Sequence, residues 1–290
     1  MTSAVVRWGL VGVAAAVVLG GAPVSAGTET MAKLASHRAV YEMTLGKRLD
    51  SSEVMSVEGR LVYEFAGSKC EGWTSRFRLV TRISLGAPGG EKVEGLGRLT
   101  DLRTSAYEDA DGKSFDFLNQ NYVDERLVED SKGLARHEGA KSTVRLDRPA
   151  AKSIDLPDGV KFPTEHLAAI IEAAEAGKTV VDIDLYDGSE TGEKIYRTTV
   201  VIGREQAGED DTVAEPVAAA DWLKGKRRWP VDVSYFDPAR TAAGEATPDY
   251  QMSFLLYENG VSRKMRLDYG EFSLKGTLSV LEPMPVTQCP

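Results

Sequence analysis

The sequence predicts a mainly β, single-domain protein built from an antiparallel sheet with one main helix. Apolar and polar residues alternate with a period of two along several segments. Turn-forming pairs such as Asn-Gly and Asp-Gly separate these segments. One further segment has the 3.6-residue periodicity of an amphipathic helix. Because period-two alternation turns one face of a strand to a core and the other to water, we expect half-buried antiparallel strands.

Three segments show the alternation most clearly. In the first, the residues on one side are Val57, Gly59, Leu61, Tyr63 and Phe65. In the second, they are Trp73, Phe77 and Leu79. In the third, they are Phe272, Leu274, Gly276, Leu278 and Val280. We expect each segment to be a strand with that side against the core.

A tight turn is predicted near the end of the chain. Asn259 and Gly260 separate two strand-like stretches, 252–258 and 261–269. This residue pair tolerates the positive φ angles of a type I′ turn, so we expect a hairpin there.

Two more hairpins are predicted at Asp111–Gly112 and at Asp187–Gly188. With Asp109, the first pair also resembles part of a calcium-binding loop. No glutamate stands at the closing position of such a loop, so a plain turn is the simpler interpretation.

The main helix is predicted to begin at Pro163 and to end at Gly177. We expect Thr164 to cap its free backbone amides. The apolar residues at helical spacing are Leu167, Ile170, Ile171 and Ala174. This stripe is expected to lie on the sheet or to plug its concave side.

The segment 206–220 is acidic, rich in alanine and poor in large apolar side chains. It predicts a mobile excursion rather than a linker between domains. We find no repeat at a fixed period and no domain boundary, so residues 27–290 are expected to form one domain.

The N-terminus has the pattern of a secretory signal peptide. Arg7 precedes the uncharged run 8–20, and Val24, Ser25 and Ala26 form a small-residue cleavage site. We therefore expect a signal peptide over residues 1–26 and a mature periplasmic chain over 27–290 with no transmembrane segment. The alternative is an uncleaved anchor, but the run is short and ends in helix-breaking residues.

Two cysteines remain in the exported chain, Cys70 and Cys289. An even count in an oxidising compartment favours one structural disulfide between the early part of the fold and the chain terminus. A redox-active pair is the alternative, but no CxxC motif occurs. A zinc site is a weaker alternative, because the two sulfurs and the three histidines lack the close spacing of zinc ligands.

The composition argues against two classes of partner. Lys and Arg number 35 against 44 Asp and Glu, a formal net charge of −9, and loss of the leader with Arg7 makes it more negative. An acidic protein is not expected to bind nucleic acid or to be captured electrostatically by an anionic membrane.

The sequence contains no nucleophile elbow, P-loop, dinucleotide fingerprint or HExxH motif, and it predicts no cofactor or metal. His166 is the best remaining candidate for a catalytic base, followed by His37 and His137. A histidine in the first turn of a helix is more often a hydrogen-bonded structural group, so we expect no enzyme.

The densest positive cluster comprises Lys224, Lys226, Arg227 and Arg228, followed by Trp229. These five residues are the candidate binding patch for a phosphate headgroup, a lipid A-like anion or an acidic protein surface. The alternative is a solvated loop that enters a strand.

Several stretches resemble one known family. They are 36–41 (SHRAVY), 70–73 (CEGW), 162–166 (FPTEH), 187–190 (DGSE), 229–231 (WPV), 234–236 (SYF) and 253–276. In this order, and over nearly the whole mature chain, they resemble the EipB family of periplasmic cell-envelope integrity proteins.

This resemblance implies a single β-spiral, which is a strongly curved, broken barrel-like antiparallel sheet with an associated helix. It also implies a disulfide at Cys70 and Cys289, a role in keeping the envelope intact under stress, and no known enzymatic activity. We therefore expect a non-enzymatic protein that binds an envelope lipid, a lipoprotein or a periplasmic protein. The alternative is an enzyme that modifies envelope polymers.

Overall fold

A computed structural model describes residues 26–86, 92–139, 141–208, 211–238, 247–287 and 289. The predicted signal peptide therefore lies outside the described residues, except for Ala26, which begins a short helix. Within the described ranges, no helix is both long enough and apolar enough to cross a bilayer.

The described residues form fourteen strands, two α-helices and two short 3-10 turns. In chain order the strands are β1 (His37–Arg48), β2 (Val54–Ser68), β3 (Gly72–Gly86), β4 (Lys92–Glu108), β5 (Ser114–Val123), β6 (Arg126–Glu138), β7 (Lys141–Arg148), β8 (Lys152–Leu156), β9 (Val180–Leu185), β10 (Tyr196–Ile202), β11 (Arg228–Phe236), β12 (Tyr250–Tyr257), β13 (Ser262–Asp268) and β14 (Phe272–Pro283). The helices are α1 (Ala26–Met31) and α2 (Pro163–Glu175), and the 3-10 turns are Pro216–Ala219 and Asp221–Leu223.

All fourteen strands belong to one antiparallel sheet that is not closed. Its order is β8-β7-β6-β5-β4-β3-β2-β1-β14-β13-β12-β11-β10-β9, so β8 and β9 are its two edges. The chain passes from one edge to the other through α2. On the way, Lys161 bridges to the end of β9 by donating to Asp184 O at 2.8 Å and accepting from Tyr186 N at 2.9 Å. The predicted mainly β, antiparallel, single-sheet fold with one main helix is confirmed.

The three predicted strands are β2, β3 and β14. The alternation in β14 is interrupted, however. Val40 pairs with Val280 and Tyr41 pairs with Leu278, so Ser279 is an extra residue in a β-bulge. Beyond a bulge, successive side chains point to the opposite faces from those that uninterrupted alternation predicts. The predicted alternation therefore does not continue to Val280.

The hairpin at Asn259 and Gly260 is confirmed, because this turn joins β12 to β13. The predicted turn type is wrong. Gly260 has φ +84°, but Asn259 is not among the residues with positive φ, and a type I′ turn needs both. The pair with two positive φ angles is Asp124 and Glu125, at 49° and 65° between β5 and β6.

Of the other two predicted hairpins, Asp111 and Gly112 form the short connection between β4 and β5. Asp109 holds this turn by accepting hydrogen bonds from Lys113 N at 2.6 Å and Ser114 N at 2.9 Å. The second pair lies in the connection 186–195 between the antiparallel strands β9 and β10, which is too long for a tight turn.

The helix α2 begins as predicted at Pro163, but Thr164 does not cap it. The N-cap is Phe162, whose amide donates to the Glu165 side chain at 3.3 Å. Thr164 instead donates its amide and its hydroxyl to Glu108 at 2.8 and 2.7 Å. A carboxylate from β4 therefore replaces a local cap, which sequence spacing within the helix does not reveal.

The C-terminal end of α2 agrees with the prediction. Gly177 has φ +71°, and its amide donates to Ala174 O at 3.0 Å. Lys178 N donates to Ala173 O at 2.9 Å, which completes a Schellman motif.

The apolar face of α2 packs inside the curved sheet. Its Ile170 and Ile171 share one buried cluster with Phe65, Trp73 and Trp229. Phe65 and Trp73 stack with their ring centroids 5.2 Å apart. The helix therefore fills part of the concave side, as its apolar stripe predicts.

The predicted mobile excursion at 206–220 is wrong for its second half. Glu215 is buried, and Ala218 and Leu223 belong to the core cluster beneath β13 and β14. Glu215 accepts hydrogen bonds from Leu278 N at 2.9 Å and from Arg263 Nε at 2.7 Å. The buried carboxylate of Glu215 thus anchors a segment whose composition predicts full exposure to solvent.

Candidate binding cavity

The concave side of the sheet encloses a cavity of about 540 Å³ with a second lobe of about 220 Å³ beside α2. The two share wall residues, which are Leu61, Tyr63, Phe77, His166, Tyr235, Met252 and Met265. Most of the lining is apolar or aromatic. A cavity of this size and character is typical of a small-molecule or lipid site.

Strand alternation explains the apolar lining. Leu61 and Tyr63 of β2 and Phe77 and Leu79 of β3 lie on the sides of their strands that the sequence predicts to face the core. On the opposite wall, β12 and β13 contribute further aromatic and sulfur side chains in the same way. The cavity is therefore the unfilled part of the core that α2 leaves open.

A carboxylate enters this apolar space from the connection between β9 and β10. Asp187 lines the cavity, and its Oδ1 accepts from Ser189 N at 2.9 Å. Burial raises the pKa of the Asp187 carboxyl. The neighbouring Gly188 packs so tightly that a Cβ there would lie 2.4 Å from the Phe117 ring, so the connection is fixed in place.

His166 also lines the cavity and is neutral. Its Nε2 lies 2.8 Å from Thr198 Oγ1, whose own proton goes to Ile183 O at 2.7 Å. Nε2 must therefore be the donor to Thr198. Burial lowers the pKa of His166 to about 4. The Thr198 hydroxyl is thus the hydrogen-bond partner of this ring, and among the described residues no carboxylate is seen to orient it.

His37 lines the smaller lobe. Its Nδ1 lies 2.7 Å from Ala35 O, which accepts the ring proton. Burial lowers the pKa of His37, and its ring contacts Tyr63 and Trp222 with centroids 5.8 and 6.5 Å away. This histidine is a neutral wall residue at pH 7.

His137, which has no recognisable partner in the sequence, lies outside the main cavity in a separate cleft of about 340 Å³. Its Nδ1 is 2.7 Å from Ser142 Oγ and its Nε2 is 3.3 Å from Glu165 Oε2, while the ring stacks on Phe162. Burial would raise the pKa of Glu165, but the His137 hydrogen bond and the Lys161 charge outweigh it and lower that pKa. The row formed by Ser142, His137 and Glu165 connects the β6–β7 hairpin to the start of α2.

Glu108 is the buried carboxyl that holds the N-terminus of α2. Burial raises its pKa to about 7, against the opposing effect of the hydrogen bonds from Thr164. Between pH 4.5, its ordinary value, and about 7, the native state binds more protons at this group than the unfolded chain does. The stability that protonated Glu108 contributes to the folded protein is therefore complete below that window and is lost as the pH rises through it.

We expect Glu108→Gln to remove this loss. The raised pKa of Glu108 corresponds to about 3 kcal/mol of unfolding free energy lost across this pH window, at ~1.4 kcal/mol per pKa unit. His166 acts in the opposite sense, since its lowered pKa makes stability rise with pH above about 4. Urea unfolding at pH 4.5, 6 and 7.5 is therefore expected to show a steeper rise of the free energy of unfolding in the variant than in the wild type. Parallel pH profiles would contradict the assignment, and the exposed Glu193→Gln serves as the matched control.

The candidate patch at 224–229 does not form a free cationic surface. Arg228 and Trp229 are 4% and 2% exposed, and Arg227 pairs with Glu175, Glu205 and Glu258. Lys226 lies 3.7 Å from Glu258, and of the four basic residues Lys224 is the one classed as exposed. The structure thus places these residues in a charge-paired junction between β11 and α2.

The predicted disulfide between Cys70 and Cys289 is present, with the two Cα atoms 5.8 Å apart at a sequence separation of 219. It joins the β2–β3 connection to the tail beyond β14. Trp73, buried close behind Cys70, packs in the core as expected.

Comparisons with known proteins agree over most of the chain. A family model described as EipB-like matches residues 28–285. The cell envelope integrity protein EipB of Brucella abortus (strain 2308) is 39% identical over 258 residues, which is 89% of this chain and 87% of that protein. The crystal structure of a β-barrel-like protein of a domain of unknown function from Brucella abortus superposes with a TM-score of 0.76 at 39% identity. That match covers 87% of this chain and 99% of the other.

Proposed function

This chain belongs to the EipB-like family, and on that premise we propose that it is a periplasmic, non-enzymatic protein that supports cell-envelope integrity by holding an apolar chain of an envelope lipid or lipoprotein. The observation that carries the proposal is the apolar cavity of about 540 Å³ on the concave side of the sheet. The envelope role rests on the name of the 39% identical relative, and the periplasmic location on the leader and the disulfide.

The energetics favour an apolar occupant. Each methylene transferred from water into such a cavity contributes about 0.8 kcal/mol. An empty apolar cavity also forfeits dispersion contacts along its walls. A bound acyl chain therefore gains on both counts, whereas water gains few hydrogen bonds among Leu61, Phe77 and Met252.

Filling the cavity tests this proposal. Thr104 of β4 lines the cavity, and the next residue, Ser105, is exposed on the opposite face of the same strand. We expect Thr104→Trp to weaken binding of the neutral apolar fluorophore 1-N-phenylnaphthylamine at least tenfold, because the indole occupies the space. Ser105→Trp is the matched control and is expected to bind like the wild type.

Fluorescence titration measures both variants, and circular dichroism checks that they fold. Equal binding by Thr104→Trp and wild type would contradict the proposal, and so would a wild type that does not bind the fluorophore at all.

The non-enzymatic part of the proposal concerns the row of Ser142, His137 and Glu165, which is the arrangement that most resembles a catalytic one. Two features support a structural role for it. Glu165 already accepts from Phe162 N at the start of α2, and Ser142 faces His137 as its cross-strand partner in the β6–β7 ladder. Labelling of Ser142 by a fluorophosphonate, with loss of the label in Ser142→Ala, would contradict this role.

A further inference from the structure

We propose that the cavity selects an amphiphile whose polar head carries an ammonium group. This inference rests on the proposed function, because it assumes that the apolar lining holds the tail. It adds the chemical class of the head and the end of the cavity at which the head binds.

The charges of the lining are one-sided. The described residues around the main cavity include the carboxylates Glu129, Asp187 and Glu190, and none of them is a lysine or an arginine. The two histidines in the walls, His166 and His37, carry no charge at pH 7 because burial lowers both pKa values. Among the described lining residues, an anionic head would therefore meet carboxylates and dipoles but no cation.

Asp187 gives the clearest sign of a missing cation. Within the part of the chain that the structure describes, its hydrogen bonds come from Ser189, and no Lys, Arg or His lies within ion-pair distance. An ionised carboxylate in apolar surroundings is costly unless a counter-charge accompanies it. A ligand that carries an ammonium group would supply that counter-charge inside the cavity.

Three tyrosine rings surround the same end of the cavity. The ring centroid of Tyr196 lies 5.7 Å from that of Tyr235 and 5.9 Å from that of Tyr250. The rings of Tyr235 and Tyr250 stack with their centroids 4.2 Å apart. Asp187 and the three tyrosines all line the main cavity, and the Tyr196 hydroxyl donates to Glu190, three residues beyond Asp187 in the same connection, at 2.9 Å. The uncovered face of an aromatic ring attracts ammonium groups.

The protein already holds one ammonium group against this cluster. Lys194 Nζ lies 4.8 Å from the Tyr196 ring centroid and 2.8 and 2.6 Å from carboxylate oxygens of Glu190 and Asp249. Asp237 approaches it at 3.8 Å. One lysine thus pairs with three carboxylates, of which Glu190 lines the cavity, and among the described residues Asp187 has no such cation within ion-pair distance.

Four probes with the same ten-carbon tail test the inference. They are decyltrimethylammonium, decylammonium, decyl maltoside and decyl sulfate, each used below its micelle concentration to displace 1-N-phenylnaphthylamine from the full mature chain. We expect both ammonium probes to bind at least tenfold more tightly than decyl sulfate, with the neutral probe between them. Tighter binding of the trimethyl form indicates a methylated head, and tighter binding of the primary amine an unmethylated one.

Asp187→Asn is expected to reduce the preference for ammonium over sulfate at least fivefold. The variant keeps an acceptor for Ser189 N and loses only the unpaired charge, so it is expected to melt no lower than the wild type. Asp182→Asn, at an exposed carboxylate of β9, is the matched control and is expected to leave the preference unchanged.

Equal binding of the four probes, or tightest binding of decyl sulfate, would overturn the ammonium inference while leaving an apolar site in place. Failure of every probe and of the fluorophore to bind would overturn the proposed function itself. A preference that survives in Asp187→Asn would overturn the role of this carboxylate.

Discussion

Replacing Arg263 with methionine is expected to lower the free energy of unfolding by about 3–5 kcal/mol, because the substitution leaves a buried charge without its partner. The side chains of Arg263 and Glu215 are 0% and 3% exposed, and Nε donates to Glu215 Oε2 at 2.7 Å. Arg263 Nη2 also donates to Asp211 O at 2.6 Å. In the variant, the donors that remain to the carboxylate among the described residues are the backbone amides of Lys264 and Leu278.

Urea unfolding followed by tryptophan fluorescence measures the effect. The double variant Arg263→Met/Glu215→Met removes both charges and is expected to recover most of the loss. Lys152→Met breaks the exposed pair with Glu193 and is expected to cost no more than about 1 kcal/mol. An Arg263→Met protein that unfolds at the wild-type urea midpoint would contradict the anchoring role of this pair.

The second large effect is expected at the disulfide. Replacing Cys70 with serine opens a loop of 219 residues, and loop-closure entropy predicts a loss of about 5 kcal/mol. The tail beyond β14 then loses its covalent attachment to the β2–β3 connection, so trypsin is expected to cleave the variant faster than the oxidised wild type.

Cys289→Ser is the matched variant, and the double serine variant is expected to be no less stable than either single one. Wild-type protein reduced with dithiothreitol is expected to unfold with them. If both single variants and the oxidised wild type share one melting temperature, the structural role of the bridge is wrong.

Much of the fold could be predicted because strand alternation is a local signal. Leu61, Tyr63 and Phe77 lie on the predicted inner faces, and these same side chains form the cavity walls. The start of α2 at Pro163 and its end at Gly177 follow from local chemistry in the same way. The fold class as a whole was also implied by the resemblance over the mature chain.

The polar parts of the site are not local, and for that reason the sequence did not reveal them. Asp187 is predicted only as a turn residue, because nothing in its neighbourhood indicates that the connection 186–195 folds against the ring of Phe117. Similarly, Glu215 is one acid among several in its segment, and its partner Arg263 lies 48 residues away. Such groups acquire their roles from tertiary packing.

In the positive cluster, tertiary packing decides which side chains reach solvent. A run of basic residues in the sequence predicts a positive surface, yet successive side chains of a strand point to opposite faces. Arg228 and Trp229 at the start of β11 are both buried, although their side chains point to opposite faces, and Arg227 meets carboxylates from α2 and from the β12–β13 turn. The proposed binding cavity lies where apolar strand faces surround space that α2 leaves open.

Native mass spectrometry of the protein purified from its own envelope without delipidation shows directly whether the cavity holds an amphiphile. We expect a non-covalent adduct with the mass of an amphiphile, retained in Ser105→Trp and absent from Thr104→Trp. A wild-type spectrum that contains only the bare polypeptide, or an adduct that persists in Thr104→Trp, would contradict this expectation.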